Sequence, residues 1–184
     1  MRAGSHLAFG AASWMLAAPW CGRPPLAVIG LGLAAFGALL PDIDHPASWV
    51  GRRTRPLSAV VGAVCGHRGL THSALAAAAC VWLLVVGGGH GPLAPLAVGY
   101  LSHLGGDFLT PRGLPLAWPL KRRWALPLLR TGSAAEPLVV GVVVLLALVV
   151  AIGPARRDAL ARDTGLCALG GPPAALLCRP ASFR

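Results

Sequence analysis

The stretch that decides the fold is PLVVGVVVLLALVVAIG, residues 137–153, which carries no charged side chain. A helix of this length spans about 26 Å at 1.5 Å per residue, slightly less than the roughly 30 Å core of a bilayer. Four more apolar runs precede it, at about residues 7–20, 26–40, 72–88 and 92–109. The pattern predicts an all-α, multi-spanning membrane protein with about four to five apolar helices.

Composition supports this class. Of the 184 residues, 55% are hydrophobic and 12% are charged, whereas roughly a quarter of the residues in a soluble domain are charged. Disorder is excluded over most of the chain because disordered sequences lack apolar residues. The net charge of +10 comes from basic residues that flank the apolar runs. That arrangement favours membrane lipid as a partner and gives no reason to expect nucleic acid.

The basic residues also predict the topology. If each run crosses once, the N-terminus and the polar segments 41–71 and 110–136 share one side with ten basic residues. The positive-inside rule then places these segments in the cytoplasm of a multi-pass inner-membrane protein. The first run could instead be the apolar core of a signal peptide, but Pro19, Trp20 and Cys21 make a poor cleavage region, so we favour an uncleaved helix.

We divide the chain into a membrane-embedded domain, 1–153, and a Pro/Gly/Arg-rich tail, 154–184, which we expect to be disordered. The five arginines of the tail run against the positive-inside rule if the last run crosses the membrane. They fit the rule if that run re-enters, and they carry no topological weight if the tail is disordered.

Acids and histidines cluster at the ends of the apolar runs, and in the five-crossing topology these ends all face the same side. A charged side chain at mid-bilayer costs about 2.5–3.5 kcal/mol, so acids retained there need water, a partner or a metal. We therefore predict a polar metal site at one membrane face. The clustered residues are His6, Asp42, Asp44, His45, His67, His72, His103, Asp107 and Glu136.

Two of the clusters have spacings suited to metal binding. His103 and Asp107 are four residues apart and share a helix face, which suits chelation of one divalent cation and equally a simple His–Asp hydrogen bond. Asp42 and Asp44 in PDIDH follow a helix-ending proline, where paired carboxylates bind or bridge hard and borderline cations. Their alternative is helix capping or turn formation.

The segment GHRGLTHS, residues 66–73, adds His67 and His72, since imidazole is the commonest metal ligand. A surface histidine followed by a capping element at Thr71 is the alternative. Arg68 between them could hold a phosphate or carboxylate of a substrate, or a neighbouring aspartate. Glu136 could be a ligand, the general base, or a favourable acid at a helix N-terminus.

Together PDIDH (41–45), HRGLTHS (67–73), GYLSHLGGDFLTPRGLPLAWPL (99–120) and TGSAAE (131–136) resemble the LexA-regulated, membrane-bound metal-dependent hydrolase family (YdjM-like). The resemblance runs from about His6 to Glu136 and into the last apolar run. It implies an inner-membrane, metal-dependent hydrolase. The ligand positions it implies are His6, Asp42, His67, His72, His103 and Asp107, with Asp44, His45 and Glu136 close by.

A looser similarity connects the His103–Asp107 pair with the zinc-dependent phospholipase C group, whose ligands include a His-x-x-x-Asp pair. This similarity implies several zinc ions and a phosphoester substrate.

Our hypothesis is a hydrolase with one or two divalent metals, expected to be zinc, at the cytoplasmic interface. Glu136 is the expected general base, Asp44 orients a ligand, and Arg68 and Arg112 hold an anionic small-molecule or lipid substrate. The alternatives are a metal or proton transporter and a non-catalytic protein in which metal staples the helix ends. A conduit would need polar residues at mid-helix, whereas these residues cluster at helix ends.

Overall fold

The computed structural model describes residues 1–66, 69–120 and 122–163, with side chains described as far as residue 153. These residues form six α-helices and two 3₁₀ helices and contain no β-strand, only one antiparallel bridge between Leu114 and Trp124. The all-α prediction is therefore confirmed. The helices are α1 (Ala3–Ala17), α2 (Val28–Gly37), α3 (Arg55–Cys65), α4 (Ala74–Val86), α5 (Ala94–Phe108) and α6 (Ala135–Asp163), and the 3₁₀ helices are Leu40–Asp44 and Leu70–His72.

Helix α5 lies at the centre of the bundle, where it packs against α1, α2 and α4, while α1 also packs against α2 and α6. Glycines allow the closest of these contacts. A Cβ atom on Gly99 would lie 1.9 Å from the carbonyl oxygen of Ala34, and one on Gly37 would lie 2.2 Å from that of Leu96. Helices α2 and α5 therefore meet backbone to backbone, which is typical of helix packing in membranes.

The two 3₁₀ helices carry motifs that the sequence analysis singled out. The first, Leu40–Asp44, contains most of the PDIDH motif, and Pro41 lies in its first turn. Leu70–His72 precedes α4, whose N-cap Ser73 accepts a hydrogen bond from the backbone N–H of Ala76 at 3.3 Å. Single turns of this kind rely on their neighbours for stability, because 3₁₀ hydrogen bonds have poor geometry.

Within the part of the chain that the structure describes, one helix is long and apolar enough to cross a membrane. Ala135–Gly153 has a mean hydropathy of 2.7 over its most apolar window, of which 22% is buried against the rest of the protein. Helices α3 and α4 are apolar but have only 11 and 13 residues. The other helices are shorter than the apolar runs that predicted them, because turns and 3₁₀ segments take up part of each run. The number of membrane spans therefore stays a prediction.

Two boundaries differ from the sequence analysis. Helix α6 continues beyond residue 153, where we expected the tail to begin, and is described as far as Asp163. Residues 154–163 are rich in alanine and arginine, which are good helix formers; the rest of the tail lies outside the described residues. The polar segment 41–71 also contains α3, which begins with Arg55 and Pro56, a position that proline favours.

Candidate metal centre

A buried polar cluster lies where the start of α1 meets the C-terminal half of α5. His6, His72, His103 and Asp107 are each at most 2% exposed. They come from α1, from the 3₁₀ helix before α4, and from α5. Burial of ionisable groups is costly unless they are paired or coordinate a metal, so this cluster needs an explanation.

We call His6, His103 and Asp107 the helical half of the cluster. The Nε2 atom of His6 lies 3.3 Å from Oδ1 of Asp107, and Nε2 of His103 lies 3.7 Å from Oδ2 of the same carboxylate. The rings of His6 and His103 stack with centroids 3.8 Å apart and planes 13° apart. The α-amino group of Met1 also lies 2.7 Å from Oδ1 of Asp107, so Oδ1 is shared by Met1 and His6, while Oδ2 is directed at His103 and His72.

We call Asp42 and His72 the loop half, because both belong to 3₁₀ helices. Oδ1 of Asp42 lies 3.9 Å from Nε2 of His72 and 3.9 Å from Nε2 of His103. Nε2 of His72 lies 4.0 Å from Oδ2 of Asp107. The two halves therefore meet around the Nε2 atoms of two histidines.

The arrangement fits a divalent cation. Nε2 of His72 and Nε2 of His103 are buried and have no hydrogen-bond partner among the described residues. The oxygens of Asp42 and Asp107 lie 3.7–4.0 Å from them, and ligands of a tetrahedral zinc ion are about 3.4 Å apart, so a small contraction suffices. Two triads have the spacing of a metal site, His6/His103/Asp107 and Asp42/His72/His103, and they share His103.

Hydrogen bonds fix which nitrogen of each shared histidine faces the centre. Nδ1 of His103 lies 2.7 Å from the carbonyl oxygen of Ala38, which can only accept, so Nδ1 carries a proton and, in the neutral ring, Nε2 keeps its lone pair. Metal-binding histidines usually have such an outer partner, which sets the tautomer and the ring orientation.

His72 is oriented in the same way through Thr71 and Asp44. The Thr71 hydroxyl donates its single hydrogen to Oδ2 of Asp44, and its own oxygen, Oγ1, lies 3.0 Å from Nδ1 of His72. The hydroxyl must therefore accept from Nδ1–H, and in the neutral ring Nε2 of His72 also keeps its lone pair toward the centre. Asp44, which is fully buried, lies 3.7 Å from Nδ1 of His72.

Tyr100 links this loop to α5. Its hydroxyl donates to the backbone carbonyl of Thr71 at 2.6 Å, one helical turn before His103. Sequence reasoning missed Tyr100 and treated Thr71 only as a cap. The available signal was that the sole tyrosine of the chain occurs three residues before a candidate ligand.

Glu136 is held by backbone hydrogen bonds at the ends of two helices. Its Oε1 accepts from the backbone N–H of Arg2 at 2.6 Å and its Oε2 from that of Gly132 at 2.6 Å, and the residue is fully buried. The carboxylate thus joins the start of α6 to the start of α1. Because both oxygens are engaged by backbone donors, this geometry favours a structural role over the general base we expected.

The remaining predicted residues lie outside the cluster or outside the described residues. His45 is half-buried, and its Nδ1 accepts from the backbone N–H of Ala47 at 3.4 Å. Arg112 is exposed after α5, and its described contact is made by its backbone carbonyl, which accepts from Arg123. His67 and Arg68 lie outside the described residues.

Comparisons with known proteins agree with the membrane assignment. No solved structure matches the chain. It is 45% identical over 102 residues to the inner membrane protein YdjM of Escherichia coli (strain K12) and equally to that of Shigella flexneri, covering 52% of this chain and 52% of each relative. The uncharacterized protein YvsG of Bacillus subtilis (strain 168) is 38% identical over 144 residues, 76% of this chain and 87% of that protein. The family model described as YdjM inner membrane protein matches residues 1–169, and the chain therefore belongs to the YdjM inner membrane protein family.

Proposed function

We propose that this inner-membrane protein is a metal-dependent hydrolase whose site lies at the cytoplasmic interface. One observation carries the proposal: two buried histidines turn their Nε2 atoms toward two carboxylates at 3.7–4.0 Å, while their Nδ1 atoms are engaged in outer hydrogen bonds. Two buried Nε2 atoms without a hydrogen-bond partner among the described residues are unfavourable, and a cation bound between them would satisfy both.

In this proposal His72, His103, Asp42 and Asp107 hold a divalent metal, and His6 completes a second position beside Asp107. Nitrogen and carboxylate ligands without thiolates suit zinc, although they also suit other borderline cations. A bound metal supplies Lewis acidity and lowers the pKa of a coordinated water toward neutrality.

Other residues orient the histidine ligands and leave one side of the centre open. The His103 and His72 rings are held by Ala38 and Thr71, so their lone pairs stay aimed at one point. The Asp42 side chain is 15% exposed, against at most 3% for the side chains of the other ligands, so water and substrate reach the centre from its side.

The substrate class follows from the surroundings. Exposed Arg112 follows α5 on the side of the cluster, and the neighbouring polar segments are strongly basic. An anionic substrate such as a phosphoester or a lipid head group suits such a setting. For such a substrate to reach the site from the membrane interface, we propose a multi-pass arrangement. In it, α6 spans the bilayer and the shorter helices pack beside α6.

A second candidate is a non-catalytic protein in which the metal only staples helix ends. It is favoured by the near-complete burial of the ligands, which come from α1, α5 and both 3₁₀ helices. Structural sites have all positions filled by protein, whereas catalytic sites keep one open.

Metal analysis of detergent-purified protein tests the proposal. Wild type is expected to retain close to one or two equivalents of divalent metal, and His103→Ala and Asp107→Ala are expected to lose it. His90→Ala is the matched control, because His90 is exposed in the turn between α4 and α5. Full metal retention by both site variants would exclude the site.

The same preparations are then assayed with phosphodiester and lipid ester substrates. Turnover that is lost together with the metal supports the hydrolase. Metal loss without turnover on any of these substrates favours the staple.

A further inference from the structure

Helix α3 presents an apolar stripe that no described residue covers. Leu57, Val60 and Val64 are 52%, 61% and 76% exposed. At 100° per residue they fall within roughly 60° of one another around the helix. With 11 residues the helix is about 16 Å long, so it is too short to cross a bilayer.

The opposite side of α3 packs against the loop half of the metal centre. Ser58 is fully buried, and a Cβ atom on Gly62 would lie 2.9 Å from the carbonyl oxygen of Asp44. Just before the helix, a Cβ atom on Gly51 would lie 2.0 Å from the carbonyl oxygen of His45. The turn that carries Asp42 and Asp44 therefore rests on the inner face of α3.

The N-terminal end of α3 is cationic and aromatic. Arg52, Arg53 and Arg55 are exposed, and the Arg53 guanidinium lies 3.7 Å from the centroid of the Trp49 ring, which is itself 42% exposed. No acidic residue occurs anywhere between Asp44 and Asp107 in the sequence. Among the described residues, no ion pair joins these three arginines to an acidic side chain.

We infer that α3 is an interfacial helix that binds anionic phospholipid. Its apolar stripe lies among the upper acyl chains, and Arg52, Arg53 and Arg55 contact the phosphates of the head groups. A short amphipathic helix with basic residues at one end and aliphatic residues on one face is the form that lies in the plane of a membrane. Anionic lipid is the occupant because three arginines without a described acidic partner and an exposed tryptophan lie at the N-terminal end of this helix.

The position of α3 gives the lipid an effect on the metal centre. Because the Asp42–Asp44 turn rests on α3, a helix held in the interface keeps Asp42 and the Asp44–Thr71–His72 contacts in place. This consequence, unlike the lipid contact itself, rests on the proposed metal function. We expect metal to bind several-fold more tightly in membranes that contain phosphatidylglycerol than in membranes of phosphatidylcholine alone.

Photo-crosslinking tests the lipid contact in the full-length protein reconstituted in nanodiscs. Benzoylphenylalanine at position 60 is expected to crosslink to lipid, which mass spectrometry detects as a lipid-sized adduct. Crosslinks to a second copy of the chain, or no crosslink at all, would overturn the inference.

The retention of lipid by purified protein tests whether the three arginines select anionic head groups. Native mass spectrometry is expected to show phosphatidylglycerol retained in preference to phosphatidylcholine by wild type. Each Arg→Gln change at 52, 53 and 55 is expected to weaken that preference about fivefold. Arg23→Gln is the control, since Arg23 follows the far end of α1 and donates to the carbonyl of His90. Equal losses in the triple variant and the control would overturn the assignment.

The metal affinity of wild type and of the triple variant is then measured in both kinds of nanodisc. A phosphatidylglycerol effect that disappears in the triple variant supports the coupling. An identical affinity in both lipids would overturn the coupling, and a protein that binds no metal at all would overturn the proposed function. The crosslinking and retention results decide the lipid contact in either case.

Discussion

The two halves of the metal centre are built by different means. In the helical half, His103 and Asp107 are one turn apart on α5, which is packed on three sides by α1, α2 and α4. In the loop half, Asp42 and His72 come from single 3₁₀ turns whose orientation depends on Thr71, Asp44 and Tyr100. The first half is set by the geometry of a packed helix and the second by a chain of hydrogen bonds. We therefore expect the second to be the more easily displaced.

His103→Ala should have the largest effect on metal binding, because His103 belongs to both triads. We expect a loss of affinity greater than the roughly 10- to 100-fold that changes to outer partners produce. Competition with a chromogenic chelator in detergent measures it. His6→Ala removes a ligand from the helical half only, so equal losses in the two variants would contradict the shared position of His103.

Thr71→Val should have the next largest effect. The change keeps the side-chain volume but removes the hydroxyl that accepts from His72 and donates to Asp44. His72 then loses its fixed tautomer, and we expect metal affinity to fall about 10- to 100-fold. The same chelator competition measures it.

Thr110→Val is the matched control for Thr71→Val. Thr110 is buried beside the cluster, but its hydroxyl donates to the backbone carbonyl of Asp107 and contacts no ligand ring. Equal losses of metal affinity in the two variants would show that the loop half is not held by the Thr71 hydroxyl.

The contrast also explains which parts of the site could be predicted from the sequence. The His103–Asp107 pair could be predicted from the period of a helix. Its place at the end of a packed helix could be predicted from the positions of the apolar runs. The orientation of His72 depends on Tyr100, which is 29 residues from Thr71, and on Asp44, which is 27 residues away. Contacts at such separations depend on how the turns pack, and no local pattern encodes them.

The fold shows the same division. The all-α class follows from the apolar runs, but α3 was missed because its stripe of Leu57, Val60 and Val64 lies inside a basic, polar segment. Glu136 was expected to act in chemistry because it precedes an apolar run near the motifs. Its actual partners, the backbone N–H groups of Arg2 and Gly132, are set by the meeting of α1 and α6.

Tyr100→Phe should have a smaller effect and would sharpen the comparison. It removes one hydrogen bond between α5 and the loop half while leaving the helical half intact. We expect metal affinity to fall only several-fold, and the free energy of unfolding to fall by about 0.5–1.5 kcal/mol. Ser102→Ala is the control, because its hydroxyl bonds only to the carbonyl of Gly99 on the same helix. An equal loss of metal affinity in both variants would contradict a link through Tyr100.

Glu136→Gln should have the smallest effect on metal binding, because Glu136 stands outside both halves. Its two oxygens accept from the backbone N–H groups of Arg2 and Gly132, and an amide would place an NH₂ group against one of these donors. That mismatch should cost about 1–3 kcal/mol of stability. Thermal unfolding in detergent, followed with and without added metal, measures the change. A general base would behave in the opposite way, since Glu136→Gln would then abolish turnover while leaving the melting temperature unchanged. A lowered melting temperature with undiminished metal affinity therefore separates the clamp between α1 and α6 from the chemistry of the two halves.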